Sequence, residues 1–303
     1  MLGLFAGSKF CSSGLALLLG SLLSLGFNLN PPDFMKKNGK YIMQFAIVCM
    51  GFSMNPQGVI SAGREGLLVT LITLLISMSV GFLLGRWLKV EGTVGTLISA
   101  GTGICGGSAI ASLSPILNSK KDEIAISMAC VFFLNAVALL LFPWLGKLLQ
   151  LTPEQFGWFA AIAIHDTSSV VGAATEFSKD SVEIAVTAKL TRALWIIPMM
   201  IVTMIVVNYK AKGKDSHAGQ SRFQIPWFIF IFIGAVTLHM ILPPMPSAYQ
   251  MSDWLGKSCM KIAIFITGAQ LTRAVVAAVG PKAMTMAIIL WLTMTGVTYF
   301  WVI

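Results

Sequence analysis

The sequence predicts an all-α polytopic membrane protein of about eight to ten membrane elements, with inverted repeats and two broken or re-entrant segments. Three observations lead there. Hydrophobic residues make up 56% of the 303 residues and charged residues only 11%, against roughly 25% charged in soluble domains. With a mean hydropathy of +0.82, a water-soluble fold of this size could not hide its apolar surface. Apolar runs of spanning length follow one another, separated by short charged or Pro/Gly gaps. The chain also resembles itself at two offsets. A soluble enzyme, a nucleic-acid-binding domain and a disordered chain are excluded as readings of the whole.

The apolar runs are 12–29, 39–58, 66–86, 93–118, 123–146, 154–178, 182–208, 226–243, 256–273 and 282–302. The first follows a single early cation, Lys9. It reads as a first span or the remnant of one rather than a cleaved leader, because nine apolar segments come after it. Two runs differ in kind. Segment 93–118 carries Gly-Thr-Gly-Ile-Cys-Gly-Gly-Ser over 101–108, then Pro115, and segment 154–178 carries Ile-His-Asp-Thr-Ser-Ser over 164–169. Such clusters weaken a continuous helix. Irregular backbone at membrane depth is tolerated only where it is buried in protein or lines a cavity. The long hydrophilic stretch 209–224, with Lys210, Lys212, Lys214 and Arg222, is expected to be a cytoplasmic loop. No soluble domain interrupts 1–303, which reads as one transporter domain. Cys11, Cys49, Cys105, Cys130 and Cys259 lie inside apolar runs without metal-ligand spacing and read as small buried hydrophobes.

Shifting the chain by 217 places Ala46-Ile47 on Ala263-Ile264, Gly51 on Gly268 and Gly63 on Gly280. Shifting it by 60 places Ile104 on Ile164, Ser108 on Ser168 and Glu123-Ile124-Ala125 on Glu183-Ile184-Ala185. The second shift lays the two unusual segments on each other. If both cross the membrane, that shift advances two spans and the copies are parallel. If both are re-entrant hairpins, it advances one crossing, the 217 shift advances five, and both duplications are inverted. The hairpin arrangement puts 13 Lys and Arg on the side of loop 209–224, 6 on the other side and 2 within a span. Crossing segments would give 12 against 7. The charge rule therefore favours hairpins.

Four side chains within the apolar runs carry chemistry. His165 and Asp166 sit in the middle of 154–178, and Lys189 and Arg192 lie within 182–208. A cation at mid-membrane costs about 2.5–3.5 kcal/mol, so two need a compensating partner. Their i, i+3 spacing puts them on one helical face, which should look towards an anion or a carboxylate. Pairing with Asp166 would leave one positive charge over, and the surplus favours a bound anion. Lying 7 to 10 residues into their run, they are too deep for easy snorkelling. A surplus cation strands no protein partner when removed. Replacing Lys189 or Arg192 is therefore expected to weaken anion binding more than stability. Ser108, after Gly106 and Gly107, reads as the N-cap of a following helix, and Thr167, Ser168 and Ser169 as candidates for the same after Asp166. Both would aim a positive helix end at mid-membrane, an arrangement that binds anions. His165 reads as a hydrogen-bonded histidine, with a proton relay as the other role. Glu176, Asp180, Glu183, Asp122 and Glu123 lie near segment ends and read as interfacial.

Gly101-Thr-Gly-Ile-Cys-Gly-Gly-Ser-Ala-Ile110, Ala163-Ile-His-Asp-Thr-Ser-Ser-Val-Val171 and Ala188-Lys-Leu-Thr-Arg192, together with Met50-Gly-Phe-Ser-Met54, resemble the YeiH-type sulfate exporter family of bacterial inner-membrane proteins. The resemblance covers nearly the whole chain. It implies a multi-pass transporter distantly similar to the bile acid symporters and cation/proton antiporters.

The expected function is secondary transport, by export, of a small anion such as sulfate or a sulfonate. Gly106, Gly107, Ser108, His165, Asp166, Ser168, Lys189 and Arg192 would form the substrate site. The alternatives are a cation/proton antiporter using Asp166 and an anion channel. An intramembrane enzyme would need a nucleophile–base pair or metal ligands, and His165-Asp166 has no second histidine nearby. No metal, cofactor or nucleic acid is expected. The expected partners are the anion, a coupling proton or sodium ion, the lipid bilayer and a second copy of the chain in a homodimer.

Overall fold

The computed structural model describes residues 12–27, 32–211, 227–242, 245–270, 273 and 279–303. Most of loop 209–224, and Lys9 and Cys11, lie outside them. The described elements are helices: α1 (Ser13–Ser21, continued by a π-helical turn Leu22–Gly26), α2 (Asp33–Ser53), α3 (Pro56–Trp87), α4 (Gly92–Gly103), α5 (Gly107–Leu113), α6 (Lys121–Leu148), α7 (Pro153–Ala163), α8 (Thr167–Phe177), α9 (Ser181–Leu194), α10 (Ile196–Ala211), α11 (Trp227–Ile241), α12 (Pro246–Ala269) and α13 (Pro281–Val302). Four stretches are long and apolar enough to cross a bilayer: α3, α6, α9 joined to α10, and α13.

Local chemistry sets the boundaries. Asn55 caps α3, accepting from the Gln57 N–H at 3.1 Å, and Pro56 takes the first helical position, where its missing N–H costs nothing. The sequence boundaries 39–58 and 66–86 are corrected here. The chain turns at Asn55-Pro56, and Arg64-Glu65, read as a gap, lie inside α3 near its polar end. Likewise α12 starts at Pro246, ten residues before the apolar run. The turn between α9 and α10 falls just before Pro198, which has no N–H to donate to the Leu194 carbonyl.

The two unusual segments are re-entrant hairpins. Phe156, in the first turn of α7, stacks on Phe177, the last residue of α8, with ring centroids 4.0 Å apart and planes 12° apart. The hairpin α7–α8 thus enters and leaves on one side. The carboxyl of Glu91, immediately before α4, lies beside that of Glu123 in the first turn of α6, and this neighbour pushes it above its ordinary range. The hairpin α4–α5 is therefore closed at its own base, beside the start of α6. Since α6 lies between the two bases, the hairpins enter from opposite faces. The Asn55 N–H donates to Glu183 at 3.2 Å, placing the start of α9 beside the start of α3. The Gln155 amide donates to the Val302 carbonyl at 3.0 Å, bringing the end of α13 to the same face. Arg86, Lys89, Lys120, Lys121 and Lys282 share the other face, the one the charge rule expects in the cytoplasm.

The 60-residue repeat is structural. α4 and α7 end at Gly103 and Ala163, α5 and α8 begin at Gly107 and Thr167, and α6 and α9 begin at Lys121 and Ser181. Helices α1, α2, α11 and α12 pack as one group. Its centre is the α2–α12 pair, antiparallel, with the Ser252 hydroxyl donating to the Cys49 carbonyl at 2.7 Å. The hairpins pack against α3, α6, α9 and α13, and α8 also meets α1 and α12.

Candidate functional site

The hairpin tips meet. At Gly106 the backbone takes φ 65° and ψ −123°, a conformation reserved in practice for glycine. This residue also sits against the other tip. A Cβ there would stand 3.2 Å from Val131 Cγ1, 3.4 Å from the His165 carbonyl carbon and 3.5 Å from His165 Cβ. Glycine is thus required for the turn, and the two tips approach to within van der Waals contact of it.

A helix that ends in the membrane leaves its last four carbonyls without partners. Here they are taken by side chains. Lys189 Nζ donates to the carbonyls of Ala161 at 3.2 Å and Ile164 at 2.6 Å. Arg192 Nη1 donates to Ile162 at 2.6 Å, and Trp291 Nε1 to Ala163 at 3.1 Å. The four residues that close α7 are therefore all satisfied. On the first hairpin, Arg192 Nε and Nη2 donate to Gly103 at 2.6 Å and Thr102 at 2.9 Å, while Gly101 accepts from the Gly106 N–H at 2.8 Å. Arg192 joins both tips with one planar fork. Lys189 and Arg192 have no solvent exposure. Each stands at the negative end of a helix dipole, where a cation is favoured. Trp291 is itself fixed by stacking on Phe142, 5.5 Å between centroids and 6° between planes.

The second half of each hairpin presents a helix N-terminus. Asp166 caps α8, accepting from the Ser168 N–H at 3.0 Å and from the Ser168 hydroxyl. Asn135, from the middle of α6, accepts the N–H groups of His165 at 3.0 Å and Asp166 at 3.2 Å. At α5 no side chain caps the helix, Ser108 is exposed and Gly107 is partly so. Ser108 lies within the first turn of α5, whose cap position is Gly106. The expectation that Ser108 is the cap is corrected, because the positive φ that ends the turn falls on Gly106. Three side chains beside the tips are buried with hydrogen-bonding atoms unused: Thr102 Oγ1, Asn135 Nδ2 and both ring nitrogens of His165. The His165 ring lies close to the Val131 carbonyl, outside strict hydrogen-bond geometry.

The eight residues singled out in the sequence lie on the two hairpin tips and on the stretch of α9 that bonds them. Asp166, half-buried, makes no ion pair with either cation. The partners of Lys189 and Arg192 are main-chain carbonyls, a class that side-chain pairing arguments pass over. Sequence reasoning missed Asn135, Trp291 and Thr102. Asn135 carries a legible signal, an amide in the middle of an apolar run. Trp291 and Thr102 carry none. Among the described residues no cluster of His, Cys, Asp and Glu could hold a metal ion.

No solved structure gives a significant match to the chain. Among curated proteins it is similar to a UPF0324 membrane protein of Bacteroides thetaiotaomicron, 39% identical over 97% of this chain and 87% of the relative. A UPF0324 membrane protein of Porphyromonas gingivalis is 40% identical over 91% of this chain and 82% of its own length. UPF0324 membrane protein VP0936 of Vibrio parahaemolyticus is 34% identical over 99% of this chain and 96% of its own. The family model described as conserved hypothetical protein 698 matches residues 5–287, bearing out the resemblance read from the hairpin motifs, and the chain belongs to this family of UPF0324 membrane proteins.

Proposed function

We propose that the protein is a secondary transporter of a small anion, such as sulfate or a sulfonate, in the cytoplasmic membrane of a bacterium. One observation carries the reading: two hairpins of opposite direction meet tip to tip at two fully buried cations. Discontinuous helices meeting at depth are how secondary transporters build substrate sites. The charges favour an anion. Two cations and two positive half-helix ends stand against two negative half-helix ends and Asp166, a surplus of roughly one positive charge. In this reading the backbone of Gly106 and Gly107 with Ser108 cradles the anion from one tip, and His165 and Ser168 face it from the other. Lys189 and Arg192 supply the field while holding the tips in place. Asp166, half-buried and free of an ion pair, carries the coupling proton.

The same freedom of Asp166 favours the second reading, cation/proton antiport. Purified protein in liposomes, offered labelled sulfate, sulfite and taurine with and without a pH gradient, separates the two. Saturable uptake of at least one anion, accelerated by the gradient, is the expected result. Anion uptake that does not saturate would mark a channel. No anion movement, with sodium or potassium exchanged for protons, would replace anion transport with antiport.

A further inference from the structure

On the lysine-rich face a cleft of about 680 Å³ opens between α5, the turn that follows it and the start of α6, within the roughly 300–1,000 Å³ usual for small-ligand sites. One wall is Ala111 and Pro115 of the α5 side, continued by Ser114, Asn118 and Ser119, and the other is Ile124 and Met128 of α6. The polar groups have no place facing hydrocarbon, and the hydroxyl of Ser119 is buried without a partner. Two helical stripes extend the cleft inwards. Ser108, Ala111 and Pro115 recur at spacings of three and four, and Ile124, Met128 and Phe132 at spacings of four, so each set shares one face. Ser108, exposed, is the next step beyond Ala111. At the inner end the stripes close on the tip. A Cβ on Gly107 would stand 3.2 Å from Phe132 Cζ and 3.3 Å from Met128 Sδ. Met128 thus lines the cleft and touches the glycine where the first hairpin turns.

We propose that this cleft is the cytoplasmic vestibule through which the anion reaches the hairpin tips, and that Met128 and Phe132 form its inner gate. The inference rests on the anion-transport reading. It adds the route, the polar groups that receive the anion (Asn118 and Ser119) and the side chains that must swing aside. A thioether and a phenyl ring suit a gate of this kind. Both are bulky and apolar, they exclude water when closed, and methionine has three rotatable bonds with which to move.

The test reads access rather than flux. Ala111→Cys, Asn118→Cys and Ser108→Cys are made singly in the full chain. Each is exposed to a membrane-impermeant maleimide on inverted vesicles and on intact cells, with the parent as the reference for the native cysteines. Asn118→Cys and Ala111→Cys should react on inverted vesicles and not on cells. Adding Met128→Ala should speed the reaction at Ser108→Cys about tenfold or more, and Met128→Trp should slow it comparably, with Asn118→Cys unchanged in both. The vestibule is overturned if Ala111→Cys and Asn118→Cys react only with a lipid-soluble maleimide, or react from the outer side. The gate is overturned if neither Met128 variant changes the rate at Ser108→Cys. Labelling as expected with no anion flux would instead strike the transport reading, and intact flux without labelling would strike the vestibule alone.

Discussion

Arg192 directs one guanidinium at three carbonyls on two hairpins, and removing it strands all three in a medium that offers no replacement. Each orphaned buried group costs about 1–3 kcal/mol. Arg192→Ala is therefore expected to lower stability by about 3–5 kcal/mol, the usual loss on breaking a buried charged contact. Thermal unfolding in detergent measures this, and Arg192→Lys should recover part of it. This reverses the expectation that losing either cation spares the fold, because the cations do have protein partners. Lys189 and Arg192 stood out in the sequence as charges at mid-depth. Their partners did not, since a free carbonyl belongs to every residue and is marked by none. Asp166→Asn should behave differently. An amide oxygen still accepts from the Ser168 N–H, so stability should change by less than about 1 kcal/mol, while the response of anion flux to a pH gradient should vanish. A gradient response retained in Asp166→Asn would place the proton elsewhere.

The hairpins were legible as elements because each break needs unusual residues: glycines at one tip, a polar cluster at the other. The capping detail was not, since several neighbouring residues were chemically suited to the role and only the backbone conformation at Gly106 decides among them. The same conformation makes Gly106→Ala costly, by about 1–3 kcal/mol, measured again by thermal unfolding. Gly107→Leu should insert normally and lose anion flux, because its side chain would press on Phe132 and Met128. Normal flux through a well-expressed Gly107→Leu protein would show that nothing needs to approach this turn. The starts of α3 and α12 were misjudged for a related reason. Charged residues near the polar end of a long helix look, in sequence, like the gap before it.

Across the whole molecule, the 60-residue offset left parallel and inverted copies open, and the distribution of Lys and Arg favoured the inverted arrangement before any contact was known. Lys121 and Lys147, both exposed at opposite ends of α6, give the direct check. A cysteine at Lys121 should be labelled only from the cytoplasm and one at Lys147 only from outside. Labelling at Lys121 from outside would refute the re-entrant topology. The packing of α1, α2, α11 and α12 into one group was not legible. Membrane helices are apolar on every side, and periodicity does not say which neighbour a face will meet.

The carbonyl ends of α4 and α7 also dictate an order of assembly. A chain leaving the ribosome inserts both hairpins before α9 exists, and α13 later still. Until Lys189 and Arg192 arrive, the tips hold bare acceptors at the least hydrated depth of the bilayer, so the early hairpins are provisional and the late helices complete them. A nascent chain arrested after Lys179 should leave Ser108→Cys and Ser168→Cys equally open to a thiol reagent. A chain long enough to seat α9 should protect Ser168→Cys while Ser108→Cys stays reactive. The second half of this protein is thus expected to complete the assembly of the first.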